Sequence, residues 1–214
     1  MAAQGYGRKV AGVPIWAYDL GSKVRDNAGG ARCTTMSRFS HRIAEAMRRR
    51  PSGRAHDVSQ ITDYLYVGEW PLGRDAEGLK ERNIRLILSM LRGPHPHHLS
   101  QAPLRLVELP TIDSPLTPIP LRVLYRGVQE ALPVVFDGNA VLVHCRHGRH
   151  RSVAMACAIL IAMGYTADDA MRLVCERRSR ADPYAWHIRR RIIAFERAWR
   201  DPNAFPVGVS GKRK

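Results

Sequence analysis

Only four cysteines occur in 214 residues, Cys33, Cys145, Cys157 and Cys175, and no two of them form a CxxC pair. Zinc ribbons and fingers of the paired-cysteine type are thereby excluded. Long apolar runs are also missing. The run VAMACAILIAM is eleven residues, whereas a membrane-spanning helix needs about 20, so no membrane span is expected. The opening MAAQGYGRKVAGVP lacks the apolar centre of a secretory signal, and a reducing cytoplasm is the expected compartment. The short basic runs RRRPSGR and GKRK are compatible with nuclear targeting. No internal repeat is present. Acidic residues are scarce, 19 against 34 Lys and Arg, for a net charge of +15.

That charge is unevenly placed. Residues 1–60 carry 11 basic against 4 acidic residues, and residues 176–214 again 11 against 4, while 61–175 carry 12 against 11. A nearly neutral body sits between two basic flanks, which are either solvated arms or contacts for nucleic acid or another anionic surface. Apolar content of 45% and charged content of 25% are those of a globular protein with one ordinary core.

Along the chain, residues 1–36 show no sustained period. SRFSHRIAEAMRRR, 37–50, spaces Phe39, Ile43 and Met47 as a basic amphipathic helix. ITDYLYVGE, 61–69, alternates as a strand, and a helix over 76–82 precedes a buried strand near 84–90. RGPHPHHLS reads as a loop, LRLVELP as a strand, and TIDSPLTPIP as a loop punctuated by proline. Leu121, Leu124, Val128 and Leu132 mark a helix before the strand AVLVHC, 140–145. RSVAMACAILIAMG reads as a helix buried nearly all round and stopped by Gly164. TADDAMRLVCERRSR has Thr166 as N-cap and acids in its first turn. The last helix lines up Ile188, Ile192, Phe195 and Trp199. Strands alternating with helices, then a helical C-terminal half, predict an α/β domain with a central, mostly parallel sheet flanked by helices.

The chemistry is concentrated in HCRHGRHRS, 144–152. A strand ending at Cys145 and a helix starting near Arg151 leave a short turn. Its backbone N–H groups can converge at the positive end of the helix dipole and cradle an anion. Gly148 supplies the backbone freedom such a turn requires. Arg151 offers a planar fork for two phosphate oxygens. A cysteine in this position has its pKa lowered and becomes a thiolate, an in-line nucleophile for phosphorus.

The pattern His-Cys, five residues, Arg-Ser resembles the signature of the cysteine-based protein phosphatases, and the chain as a whole resembles their dual-specificity branch. The likeness spans about 61–200 and includes ITDYLYVGE, NIRLILSML, LVHC, GYTADDAMRLVCERRSR and HIRRRIIAFE. It implies Cys145 as nucleophile, with Arg146, His147, Gly148, Arg149, His150 and Arg151 holding the substrate phosphate. Ser152 would stabilise the thiolate as leaving group, and His144 would order the loop and set the thiol's pKa. Asp113 in TIDSP, 32 residues before Cys145, matches the family's general acid; Asp137 is a poor rival. No metal or other cofactor is implied.

Two residues depart from the branch's usual pattern: His147 and His150 stand where small residues are common. His147 is similar to its counterpart in the RNA 5′-triphosphatase branch, although both rings could equally lie on the rim. The same residues also admit a phosphoinositide or glycan phosphatase, a phospho-binding scaffold without catalysis, or a rhodanese-like sulfurtransferase. The sulfurtransferase loop is too short to place Arg151 and Asp113 in this way. His95, His97 and His98 lack a fourth metal ligand and read as a solvent loop. Cys157, Cys175, Trp186 and Trp199 read as packing residues, with a regulatory disulfide to Cys145 left open. The expected organisation is a basic arm over 1–57, a catalytic domain over 58–201 and a basic tail over 202–214. Its expected substrate is a phosphoprotein.

Overall fold

Six consecutive buried residues, Ala140–Cys145, form the strand around which the sheet is laid. The computed structural model describes residues 57–70 and 76–201, with two short paired strands, β1 (Lys9–Val10) and β2 (Val13–Pro14). The expected helix over 37–50 and the tail over 202–214 lie outside the described residues. The main sheet comprises β3 (Val58–Thr62), β4 (Leu65–Glu69), β5 (Ile84–Ser89), β6 (Arg105–Glu108) and β7 (Ala140–Cys145), in the order β3-β4-β7-β5-β6. Only β3 runs antiparallel to its neighbour. The expected α/β class, mostly parallel sheet and helical C-terminal half are all present.

The helices are α1 (Ala76–Glu81), α2 (Leu121–Phe136), α3 (Arg151–Ala162), α4 (Ala167–Arg177) and α5 (Trp186–Arg200). Every residue of α3 is buried, which explains why its sequence shows no polar face. It packs with α2, α4 and α5 on the sheet face formed by Val67, Leu86, Leu88, Val141 and Val143. The opposite face, with Tyr66, Ile84, Ile87 and Leu142, is covered by Leu79, Leu99 and Leu104. Thr166 caps α4 by accepting from the Asp169 N–H at 3.1 Å. Gly164 ends the preceding helix at φ +102°, where a side chain would be strained.

Parallel pairing sets Cys145 beside Glu69 and His144 beside Ser89. The thiol therefore emerges at the carboxyl ends of three adjacent strands, the usual place for a ligand site in an open α/β sheet.

Four local expectations need correction. The alternation over 61–69 covers a hairpin, because the turn at Asp63–Tyr64 splits it into the end of β3 and the whole of β4. The loop 97–100 forms a single 3₁₀ turn that buries Leu99. His95 is no solvent residue: its ring is buried, with Ser89 Oγ at 2.8 Å and Glu108 Oε1 at 2.8 Å. Trp186 is 62% exposed, since it opens α5 before the buried face begins at Ile188. Trp199 does pack, against Phe195 and Tyr125. Cys157 is buried, and burial pushes its thiol above the usual range, whereas Cys175 is only half-buried.

Helices α2 and α3 approach closely at Gly127, where a Cβ would collide with the Met155 side chain and sit 3.0 Å from Leu109 Cδ1. Gly127→Val is expected to destabilise the fold by about 1–3 kcal/mol through overpacking. A urea unfolding midpoint equal to that of the parent protein would refute this packing account.

Candidate active site

Backbone carbonyls of the 145–150 loop are drawn outward by named donors. The Trp70 N–H donates to the Cys145 carbonyl at 2.9 Å, and the Asp182 N–H to the Arg149 carbonyl at 3.0 Å. Arg178 Nε donates to the Gly148 carbonyl at 2.7 Å. With carbonyls held outside, the N–H groups of His147, Arg149 and Ser152 point inward and reach the Cys145 sulfur. Gly148 sits at φ +58°, and any Cβ there would meet the Arg178 guanidinium and the Gly68 carbonyl. Glycine is needed at this position on both counts.

Cys145 is 1% exposed. Burial alone pushes its thiol up, but hydrogen bonds from the Ser152 side chain and from the three backbone N–H groups outweigh it, leaving the pKa below the usual range. Ser152 Oγ lies 3.2 Å from Sγ, and the start of α3 adds its dipole.

Arg151 is also buried. Its Nη1 donates to the Thr111 carbonyl at 2.9 Å and to the Met90 carbonyl at 3.3 Å, which fixes the guanidinium across the mouth of the cradle. Its Nε has no hydrogen-bond partner among the described residues, leaving an N–H available to an anion. Asp113 Oδ2 stands 3.4 Å from Arg151 Nη2, and Asp113 Oδ1 stands 3.6 Å from His150 Nδ1. The structure thus brings Cys145, Arg151, Ser152 and Asp113 into one cluster although Asp113 is distant in sequence.

The remaining loop residues divide. Arg146, His147 and Arg149 are exposed on the rim, and His150 is half-buried. Arg149 pairs with Asp182 at 3.0 Å. His144 points through the opposite face of the sheet from the thiol, stacked on Trp70 at 5.6 Å and edge-on to His95 at 5.8 Å. Burial, with His95 nearby, pushes its pKa down to about 3, and neither ring nitrogen has a partner among the described residues. His144 is therefore neutral and touches the thiol only through the backbone. His95, His97 and His98 do not converge as a metal cluster among the described residues.

Sequence reasoning missed Arg178. Its side chain is fully buried and makes a two-pronged pair with Asp57, Nη1 to Oδ1 at 3.0 Å and Nη2 to Oδ2 at 2.9 Å, with Ser59 Oγ at 3.1 Å. Arg180 adds a second contact to Asp57 at 2.9 Å. Burial pushes the Asp57 carboxyl up, and the two arginines outweigh this and hold it below the usual carboxylate range. The arginine-rich end of α4 carried no signal to separate this buried side chain from its exposed neighbours.

Two outcomes follow from this geometry. Alkylation of Cys145 by iodoacetamide is expected to titrate below the ordinary thiol range, and Ser152→Ala is expected to move that titration upward by removing one thiolate hydrogen bond. An unchanged alkylation profile in Ser152→Ala would contradict the assignment. Arg178→Lys keeps the charge but cannot serve both Asp57 oxygens and the Gly148 carbonyl. It is expected to cost on the order of 3 kcal/mol and to weaken tungstate or vanadate binding in the fraction that remains folded. Calorimetry on the purified variant checks both.

Known proteins place this geometry in context. A profile of the dual specificity phosphatase catalytic domain matches residues 65–198. Dual specificity protein phosphatase 22 of mouse is 30% identical over 145 residues, covering 65% of this chain and 74% of the relative. The human phosphatidylglycerophosphatase and protein-tyrosine phosphatase 1 is 34% identical over 139 residues, covering 59% and 68% respectively. Among solved structures, a mouse dual specificity phosphatase complexed with zinc tungstate superposes with a TM-score of 0.61 at 24% identity, over 70% of this chain and 92% of that one. Human DUSP28 gives 0.60 at 23% identity, over 66% and 96%. At such identities the structural likeness speaks to the fold, and the sequence profile carries the family. The chain belongs to the dual specificity phosphatase family and is a cysteine-dependent phosphatase of the protein-tyrosine phosphatase type.

Proposed function

We propose that the protein hydrolyses phosphotyrosine together with phosphoserine or phosphothreonine in protein substrates, with Cys145, Arg151, Asp113 and Ser152 dividing the work. The observation that supports it most is the convergence of a thiol held by inward N–H groups with a buried arginine and a carboxylate 3.4 Å from that arginine.

In the first step the Cys145 thiolate attacks phosphorus in line. The Arg151 guanidinium and the loop N–H groups bind the equatorial oxygens, and their hydrogen bonds strengthen as charge develops there. The P–O bond to the substrate breaks as Asp113 gives its proton to the leaving oxygen, forming phosphocysteine. In the second step Asp113, now a carboxylate, takes a proton from water. That water attacks phosphorus, and the S–P bond breaks. Ser152 Oγ, 3.2 Å from Sγ, donates to the departing thiolate. His144 orders the loop through the strand, with its ring on the far face of the sheet.

The cleft beside the cradle has a volume of about 710 Å³ and is lined by Asp113, Pro115, His147, His150, Asp182 and His187 among others. A lipid phosphate is the second reading, supported by the exposed cations Arg146, His147 and Arg149 on the rim and by the phosphatidylglycerophosphatase named among the relatives.

Cys145→Ser is expected to abolish phosphate release from phosphotyrosyl and phosphothreonyl peptides while retaining oxyanion binding. Asp113→Ala is expected to slow turnover about 10²–10⁴-fold for alkyl phosphates and far less for activated aryl phosphates, whose leaving groups need no proton. Steady-state kinetics on both peptides, a phosphoinositide and a phosphatidylglycerol phosphate check these outcomes. Release from the lipids alone would replace the protein-substrate reading, and full activity in Cys145→Ser would end the phosphocysteine mechanism.

A further inference from the structure

Beside the thiol cradle the cleft holds a second convergence of donor atoms. Asp113, His150 and His187 each offer one ligand atom, and the three atoms lie within 4.8 Å of one another. They come from three separate elements: the loop after β6, the residue preceding α3 and the first turn of α5. Asp113 Oδ1 and His150 Nδ1 are 3.6 Å apart. Two ligands of one tetrahedral ion, each bonded at about 2.0–2.1 Å, sit about 3.3–3.4 Å apart, so this pair needs little movement to share an ion.

The surroundings are organised in the same sense. Asp113 Oδ2 faces Arg151 at 3.4 Å, which leaves Oδ1 as the oxygen free to coordinate. The other nitrogen of His150, Nε2, faces Asp182 Oδ2 at 3.7 Å. At that distance the two are not hydrogen-bonded; a shift of about 1 Å would give the carboxylate–imidazole contact that orients metal-binding histidines and raises their basicity. Asp182 is itself fixed, by Arg149 Nη2 at 3.0 Å and by the Ala185 N–H at 3.0 Å. His187 stands edge-on between His150 at 5.2 Å and Trp186 at 5.6 Å. Its Nδ1 is shielded from solvent without a hydrogen-bond partner among the described residues.

We propose that Asp113, His150 and His187 form an inhibitory site for a divalent transition-metal ion, Zn²⁺ by the chemistry of its donors. Two imidazoles and one carboxylate suit zinc and its first-row neighbours; magnesium and calcium prefer all-oxygen sets. Three protein ligands leave the fourth position open to the cleft. A cation on Oδ1 takes the lone pair that would otherwise carry the proton, so the leaving oxygen departs unprotonated and turnover falls. Loss of the ion restores the acid, which makes the inhibition reversible. The inhibitory consequence rests on the general-acid role of Asp113; the binding does not. The histidines of the 95–98 loop drew the metal question in the sequence, whereas this cluster forms only when three distant segments meet.

Cobalt(II) titration of the full chain carrying Cys145→Ser, in which the thiol cannot compete as a ligand, tests the site. One equivalent is expected to bind with the intense visible bands of a tetrahedral ion, and zinc is expected to displace it. His187→Gln, which keeps the side-chain volume, is expected to weaken binding at least ten-fold, and Asp182→Asn about ten-fold or more. In the otherwise unaltered protein, the zinc concentration that halves phosphopeptide turnover is expected to rise at least ten-fold with His187→Gln. Absence of binding in Cys145→Ser, or equal affinity in His187→Gln, overturns the site. Binding at the site with turnover undiminished overturns the inhibition, and with it the acid role of Asp113, while the phosphocysteine reading stands on Cys145.

Discussion

The Arg178 guanidinium is the constraint on which the catalytic loop depends. It is buried, yet each of its nitrogens is matched, by both Asp57 carboxylate oxygens, the Asp57 carbonyl, Ser59 Oγ, the Val67 carbonyl and the Gly148 carbonyl. An unpaired charge in that position would cost several kcal/mol; six acceptors around the planar fork are what make it tolerable. The result is a rigid post joining β3, β4 and the loop. By taking the Gly148 carbonyl from outside, it turns the neighbouring N–H groups inward. It also dictates the residue at 148, because a Cβ there would occupy the space of the guanidinium itself.

From that post the thiol's chemistry follows as a contest between two large effects. Burial at 1% exposure favours the neutral thiol, and hydrogen bonds from Ser152 and the loop N–H groups favour the anion. The bonds prevail because the backbone that supplies them is held in place before any ligand arrives, so no reorganisation is needed when charge appears. The strand contributes by alternation. Cys145 faces α3 and the cleft, while its neighbour His144 faces Trp70 and His95 in a layer where burial keeps the ring neutral. The same alternation excludes His144 from direct contact with sulfur.

Legibility in the sequence tracked how local the determining physics was. The α3 helix, its Gly164 stop and the Thr166 cap are settled by residues within one turn, and they form where the periodicity places them. The strand–loop–helix around Cys145 was legible because its residue types serve a single anion-binding geometry. The hairpin at Asp63–Tyr64 was hidden because both of its strands alternate with the same period, and the turn contains neither glycine nor proline. Trp186 was misplaced because a period tells which face is apolar but not where the buried face begins along the axis. Asp57 and Arg178 are 121 residues apart, and nothing local distinguishes that arginine from Arg177 or Arg180. Pairings of this kind belong to the tertiary fold alone.

Asp113, the proposed general acid, is the least constrained member of the cluster, and this has a physical reason. Its loop must admit and release substrate, so Asp113 cannot be locked by hydrogen bonds as Arg151 is. Its carboxylate instead sits between two partners, Arg151 on one oxygen and His150 on the other, at 3.4 and 3.6 Å. Neither distance is a tight hydrogen bond, and both can lengthen when a phosphoryl group takes the Arg151 fork. A carboxylate poised in this way is available to whichever cation competes best: the guanidinium at rest, a proton during turnover, or a metal ion drawn by the two imidazoles. The buried half of the site, Cys145, Arg151 and Ser152, fixes what chemistry can occur. The exposed half, Asp113 with His150 and His187, is where the proposed proton transfer and the proposed metal site meet.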